Sequence, residues 1–161
     1  MKPLEKLVEF LKQNNVPFKQ FHHAPVRTSE EALAQRPDFI LSQGAKAIIV
    51  NAKKSSDRRE FIMLVLPADK RLDSKKVRKI LKCKSFSFAH ESDVIRISDG
   101  VEPGGVHPFG NLFGLSVYVD NSLALNDEII FNAGDRSVSL AMKCIDYLKV
   151  VRPKLCEFAT K

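Results

Sequence analysis

Gly44-Ala45-Lys46-Ala47-Ile48-Ile49-Val50 and, after a polar stretch, Phe61-Ile62-Met63-Leu64-Val65-Leu66 read as two strands. Each is a short run of β-branched and other apolar residues, the composition that suits a pleated, buried surface. Lys53-Lys54-Ser55-Ser56-Asp57-Arg58-Arg59 joins them, which predicts a hairpin with a long basic tip. One cation, Lys46, interrupts the first run at its mouth.

Working outward, Leu4, Leu7, Val8 and Leu11 recur at helical spacing and predict a first helix ending near Asn14-Asn15. Residues 16–21 read as a short strand. Thr28-Ser29-Glu30-Glu31 has the form of a capping box, opening a helix to about Gln35 that Pro37 stops. Asp73 caps a helix whose apolar stripe is Val77, Ile80 and Leu81, and whose other face carries Lys75, Lys76, Arg78, Lys79 and Lys82. Phe86 and Phe88 mark a strand, and Ser92 opens a short helix toward Ile97. Further strands are expected at 115–119, 128–132 and 138–141, with a closing helix over 143–150 ahead of Pro153.

Strands follow one another in hairpin fashion and are also separated by helices. The expected fold is α/β in the mixed α+β sense: one domain over 1–161, its mixed sheet curled and barrel-like, with helices packed outside. That order does not fit a doubly wound dinucleotide fold, and neither G-x-G-x-x-G nor G-x-x-x-x-G-K-[ST] occurs.

The 161 residues, 44% hydrophobic and 28% charged, suffice to bury a core without staples. Cys83, Cys144 and Cys156 are odd in number and far apart, so neither a disulfide framework nor a zinc site is expected. No cofactor or metal is expected. No apolar run reaches the ~18 residues needed to span a bilayer, and the N-terminus lacks a signal-like apolar core. A cytoplasmic protein with no membrane partner is the expectation. The formal net charge of +7 favours a polyanion such as RNA as partner.

The second unusual stretch is Val101-Glu102-Pro103-Gly104-Gly105-Val106-His107-Pro108-Phe109-Gly110. Glycine lets a backbone approach a ligand and proline fixes φ, so the loop reads as an amide-lined cradle around a histidine. A cradle of this kind, with Lys46 at a strand mouth, suits an anionic or carbonyl-bearing ligand.

Four motifs, Gly44-Ala45-Lys46-Ala47, Leu66-Pro67-Ala68-Asp69-Lys70-Arg71-Leu72-Asp73, Gly105-Val106-His107-Pro108-Phe109-Gly110 and Asn132-Ala133-Gly134-Asp135-Arg136, occur in that order. Together they resemble the YbaK/prolyl-tRNA synthetase-associated editing domain family, over nearly the whole chain. The resemblance implies a free-standing domain that hydrolyses mischarged aminoacyl-tRNA in trans, with alanyl- or cysteinyl-tRNA(Pro) foremost and seryl- or threonyl-tRNA also in range. An aminoacyl-tRNA synthetase is a further candidate partner. His22-His23-Ala24-Pro25-Val26 is similar to the alanine-editing branch, and residues 132–136 to the YbaK branch.

An aminoacyl ester is activated, so its hydrolysis needs a positioned water and oxyanion stabilisation rather than a protein nucleophile. The resemblance makes Lys46 the residue that holds the terminal phosphate or ribose, where the bland alternative is a lysine snorkelling from a strand edge. Gly104, Gly105 and Gly110 would offer amides to the ester carbonyl, and otherwise form an ordinary tight turn. His107 would either orient the water or a ribose hydroxyl, or stabilise the loop. His23, Thr28, Pro108, Phe109, Asp135 and Ser137 are the remaining pocket candidates. For His23 a strand-end structural role competes, for Thr28 an N-cap, and for Asp135 a plain turn. Lys53, Lys54, Arg58, Arg59, Lys75 and Lys79 are candidates for the acceptor-stem backbone, against a solvated surface. A non-catalytic tRNA- or synthetase-binding module and a small-ester hydrolase are the rival readings.

Overall fold

In the computed structural model, residues 1–25, 31 and 38–161 are described. Thr28, most of the expected capping box and the helix it would open therefore lie outside the described residues.

The long hairpin is the centre of the molecule. Strand β2 (Ala45–Ser55) pairs antiparallel with β3 (Arg58–Pro67), with Lys46 opposite Leu66 and Ile48 opposite Leu64. The strands reach further than their apolar runs, leaving Ser56-Asp57 as the turn. The expected long basic tip is thus corrected: Lys53, Lys54, Arg58 and Arg59 belong to strand ends. Backbone pairing continues past the apolar positions because an exposed hairpin tolerates polar side chains on both faces.

Around the hairpin, β5 (Ser85–Phe88) pairs with β2, while β6 (Ser116–Asp120) and β9 (Lys154–Cys156) add in parallel beyond β3, giving the order β5-β2-β3-β6-β9. A second sheet has the order β1-β8-β7, from β1 (Lys19–His22), β7 (Glu128–Asn132) and β8 (Val138–Lys143). Strand β4 (Arg71–Leu72) pairs with β10 (Ala159–Thr160). The five-stranded sheet is mixed, as expected, while the other two are antiparallel, and the described strands are not closed into a barrel. Among the described residues a parallel bridge, Gly44 to Ile130, links the first two.

The helices are α1 (Pro3–Gln13), α2 (Ser74–Leu81), α3 (Glu91–Ile97) and α4 (Cys144–Val151). Asp73 caps α2 by accepting from the Lys76 amide at 3.1 Å, as its position predicted.

Side chains alternate along a strand, so the two faces of the hairpin sort by parity. The odd positions Ala45, Ile49, Met63 and Val65 enter the main core with Ile129, Phe131, Leu140 and Met142 of the second sheet. Leu7 and Leu11 of α1 and Tyr147 of α4 complete it. The even positions Val50, Ile62, Leu64 and Leu66 pack under Val77 and Leu81 of α2. Gly110 is held against the odd face, where an added Cβ would lie 2.7 Å from Val117 Cγ2 and 3.0 Å from Met63 Sδ.

Candidate active site

The glycine-rich segment is clasped to the β7–β8 turn. The Gly105 amide donates to the Glu102 carbonyl at 3.0 Å, and the Gly105 carbonyl accepts from the Gly134 amide at 2.8 Å. Asn132 Nδ2 donates to the Gly104 carbonyl, and Arg136 pairs with Glu102. Gly134 adopts φ 89°, and its missing side chain makes room for Pro3 and Leu4 at the start of α1. The Gly105 amide is consumed by its own turn, which corrects its assignment as an oxyanion donor. Gly104 is exposed on the crest.

Next to that crest, one face of the second sheet collects polar groups. Across the ladders Phe21 faces Ser139 and Ser139 faces Asn132, so His23, Ser139 and Asn132 share a side by parity. The Gly44–Ile130 bridge extends this face to the hairpin, because two residues further along are Lys46 and Asn132. The structure therefore brings His23, Asn132, Ser139 and Lys46 to one face, with the Gly104 carbonyl tied to it. Phe21, Phe39, Ile130 and Ala141 supply its apolar part.

The bonding around His23 fixes its chemistry. Nδ1 lies 2.8 Å from the Ala24 carbonyl, an acceptor only, so Nδ1 carries the proton of the neutral ring. Nε2 is then an acceptor and takes the Ser139 hydroxyl proton at 2.8 Å. Ser139 is fully buried, so its hydroxyl holds the imidazole rather than attacking a substrate. Asn132 Oδ1 stands 3.5 Å from the same hydroxyl, whose one proton is already given.

Lys46 Nζ donates to the Lys70 carbonyl at 2.6 Å, in the turn between β3 and β4. Its ammonium is thereby held on the β3 side of the strand, while Asn132 lies on the β7 side. The four-carbon stem gives a lysine the reach to exchange a carbonyl for a ligand phosphate.

Pro108, Phe109 and Gly110 are corrected as pocket residues: the chain carries them inward. Phe109 is fully buried and makes edge-on contacts with Phe10, Phe131 and Tyr147. The Pro108 carbonyl accepts from the buried Tyr147 hydroxyl at 2.6 Å. Prolines and glycines here serve a tight inward bend rather than an open cradle.

His107 is corrected from water-orienting to loop-stabilising. It is 1% exposed, stacks on Phe113 at 4.6 Å, and its Nδ1 accepts the Phe109 amide at 3.2 Å. Burial drives its pKa from 6.5 down to about 3. The unfolded chain takes up this proton first, so stability should be full above pH ~6.5 and fall by about 1.4 kcal/mol per unit between there and ~3. Urea midpoints measured across that range should lose part of their acid slope in His107→Gln. An unchanged slope would dispose of this account.

Asp135 accepts both the hydroxyl and the amide of Ser137, at 2.6 and 2.8 Å, and those two bonds lower its carboxyl pKa. The pair closes the β7–β8 turn, whose Ser137 carbonyl takes the His23 amide at 2.9 Å. Among the basic candidates, Lys54 donates to the Leu81 carbonyl at the C-terminal end of α2, which corrects it as a free phosphate contact. Lys75 and Lys79 are exposed on α2, and Arg58 and Arg59 on β3. Burial pushes the Cys144 thiol up to about 11 and raises that of Cys156, so neither is a ready thiolate.

Ser139 and Asn132 are the site residues that residue-by-residue reasoning missed. The available signal was a serine within Val138-Ser139-Leu140-Ala141-Met142, an otherwise apolar strand in which a polar residue needs a partner. Among the described residues no three His, Cys, Asp or Glu side chains converge to hold a metal. No described helix is long and apolar enough to cross a membrane.

Comparison with known proteins gives this face its context. The aminoacyl-tRNA editing domain model matches residues 23–150, a span containing His23, Lys46, the glycine-rich segment, Asn132 and Ser139. The multifunctional Ser/Thr-tRNA deacylases ProXp-y of Escherichia coli K12 and of Escherichia coli O157:H7 are 28% identical over 155 residues, covering 96% of this chain and 91% of theirs. The crystal structure of a candidate trans-editing enzyme for prolyl tRNA synthetase superposes with a TM-score of 0.82 at 17% identity, covering 100% of this chain and 99% of the other. That of a hypothetical protein does so at 0.83 and 19%, covering 96% and 99%. At such identities these two structures speak for the fold alone. The chain belongs to the aminoacyl-tRNA editing domain family, whose members hydrolyse mischarged aminoacyl-tRNA.

Proposed function

We propose that residues 1–161 act as one editing domain that removes a small, hydroxyl-bearing amino acid from mischarged tRNA in trans. The observation carrying the reading is the single face that joins Lys46 to the His23–Ser139–Asn132 cluster beside the Gly104 crest. An ammonium there suits the terminal phosphate or ribose, and fixed polar groups beside an apolar floor suit a seryl or threonyl side chain. The similarity to the Ser/Thr-tRNA deacylases points the same way. Alanyl- and cysteinyl-tRNA(Pro) come second, because neither brings a hydroxyl to Asn132 Oδ1, the acceptor that the Ser139 proton does not serve.

In this reading water attacks the ester carbonyl and the leaving group is the terminal ribose hydroxyl. The vicinal ribose hydroxyl assists, and the Gly104 amide is the crest donor left to face the developing oxyanion. His23 contributes position, with both ring nitrogens occupied. The setting is cytoplasmic, where tRNA and its synthetases are, and a synthetase that hands over the mischarged product is a natural partner.

Incubating the purified chain with seryl-, threonyl-, alanyl- and cysteinyl-tRNA and following ester loss is the direct test. Hydrolysis of the first two ahead of the others is expected. Silence across all four would remove the deacylase reading, and preference for alanyl-tRNA would overturn the assigned side-chain class.

A further inference from the structure

A groove of about 740 Å³ lies between α2 and β9, apart from the site described above. Lys76, Lys79 and Lys82 edge it from the α2 side and Lys154 from the strand side, with Ile80 and Tyr118 among its walls. Glu157 is the one carboxylate among its described lining residues and is paired with Lys76 at 2.9 Å, which leaves three of the four lysines there in excess. Lys154 Nζ sits 5.5 Å over the Tyr118 ring, a contact that positions the ammonium at the groove.

The spacing of these charges is what identifies the occupant. Lys76 and Lys79 are three residues apart on α2, a rise of about 4.5 Å, and Lys82 follows as the left-handed C-cap of that helix, lining the same groove. Like charges that close weaken a helix by a few tenths of a kcal/mol per pair. A row of ammonium groups at that interval is offset by a partner that is itself a row of negative charges. Tyr118 faces Leu64 on β3 and Lys154 on β9, so by parity the groove opens on the same side of the sheet as Lys46. Three strand spacings, about 14 Å, separate the β2 and β9 axes.

We propose that this groove is a docking surface for the sugar–phosphate backbone of the tRNA substrate, outside the site that holds the acylated end. The inference rests on the deacylase reading for the identity of the RNA, and on the groove's own charge for the contact. Lysine-to-phosphate contacts anchor without reading sequence, so the groove would serve several tRNA species alike.

The experiment compares tRNA affinity, across a range of salt, for the wild-type chain, for Lys82→Gln/Lys154→Gln, and for a charge-matched control, Lys12→Gln/Lys149→Gln, on α1 and α4. The groove variant should lose about 2 from the slope of log K against log salt, one per phosphate contact. Its Kd should rise on the order of tenfold, while the control stays near wild type. Equal losses in both variants, or a wild-type slope in the groove variant, would overturn the proposal. So would loss of binding to an acidic protein with tRNA binding intact. If the wild-type chain hydrolyses none of the four aminoacyl-tRNAs and the groove variant still loses salt-dependent binding, the deacylase reading fails and the groove stands.

Discussion

Lys46→Ala should lower kcat/KM for the preferred aminoacyl-tRNA by roughly 10- to 150-fold, the equivalent of about 1.5–3 kcal/mol for a charge-assisted contact. The loss should appear in catalysis and not in folding. Lys46 is only partly buried, and the Lys70 carbonyl it bonds lies in a turn that is itself partly exposed, so water can take the place of the ammonium. A melting temperature within a few degrees of wild type is therefore expected. Lys46→Arg keeps the charge but changes a compact three-donor ammonium into a planar fork, and should recover only part of the rate. Wild-type kcat/KM in Lys46→Ala would remove the ammonium from the mechanism. The His23–Ser139–Asn132 cluster would then have to act with the Gly104 amide alone.

The parts of the fold legible in the sequence were those set by local periodicity. The β2–β3 hairpin follows from two apolar runs, and α2 from Asp73 followed by Val77 and Leu81, both now buried. What escaped was set by distant partners. Strands β4 and β10 are two residues each, and Arg71 meets Thr160 across the chain, so no local pattern announces them. The lack of barrel closure is of the same kind, because the Gly44–Ile130 bridge joins segments with no sequence relation to each other.

The site divides in the same way. Lys46 stood out as a charge in an apolar strand, and His23 by its place at a strand end. Ser139 acquires its meaning from His23, 116 residues earlier, and Asn132 from Gly104. The glycine-rich segment misled for a physical reason. Glycine and proline mark sharp backbone turns, but they do not say whether the turned chain faces solvent or plunges into a core. Here Glu102, Pro103 and Gly104 are exposed, whereas residues 105–110 are buried.

Phe109 separates these two meanings of the segment. A substrate contact would lose rate on truncation and keep its stability, whereas a core residue does the reverse. The ring meets four other aromatic rings, those of Phe10, His107, Phe131 and Tyr147, at centroid distances of 5.2–6.1 Å, each near edge-on, on top of its full burial. Removing it forfeits the transfer energy, the aromatic contacts and the packing around the void, about 3–5 kcal/mol in all. For a chain of this size that is a fall of roughly 6–20 °C in melting temperature. Phe109→Leu keeps most of the volume and should cost distinctly less. If Phe109→Ala melts near wild type while KM for aminoacyl-tRNA climbs, the ring belongs to the pocket after all, and the inward course given to residues 105–110 is wrong.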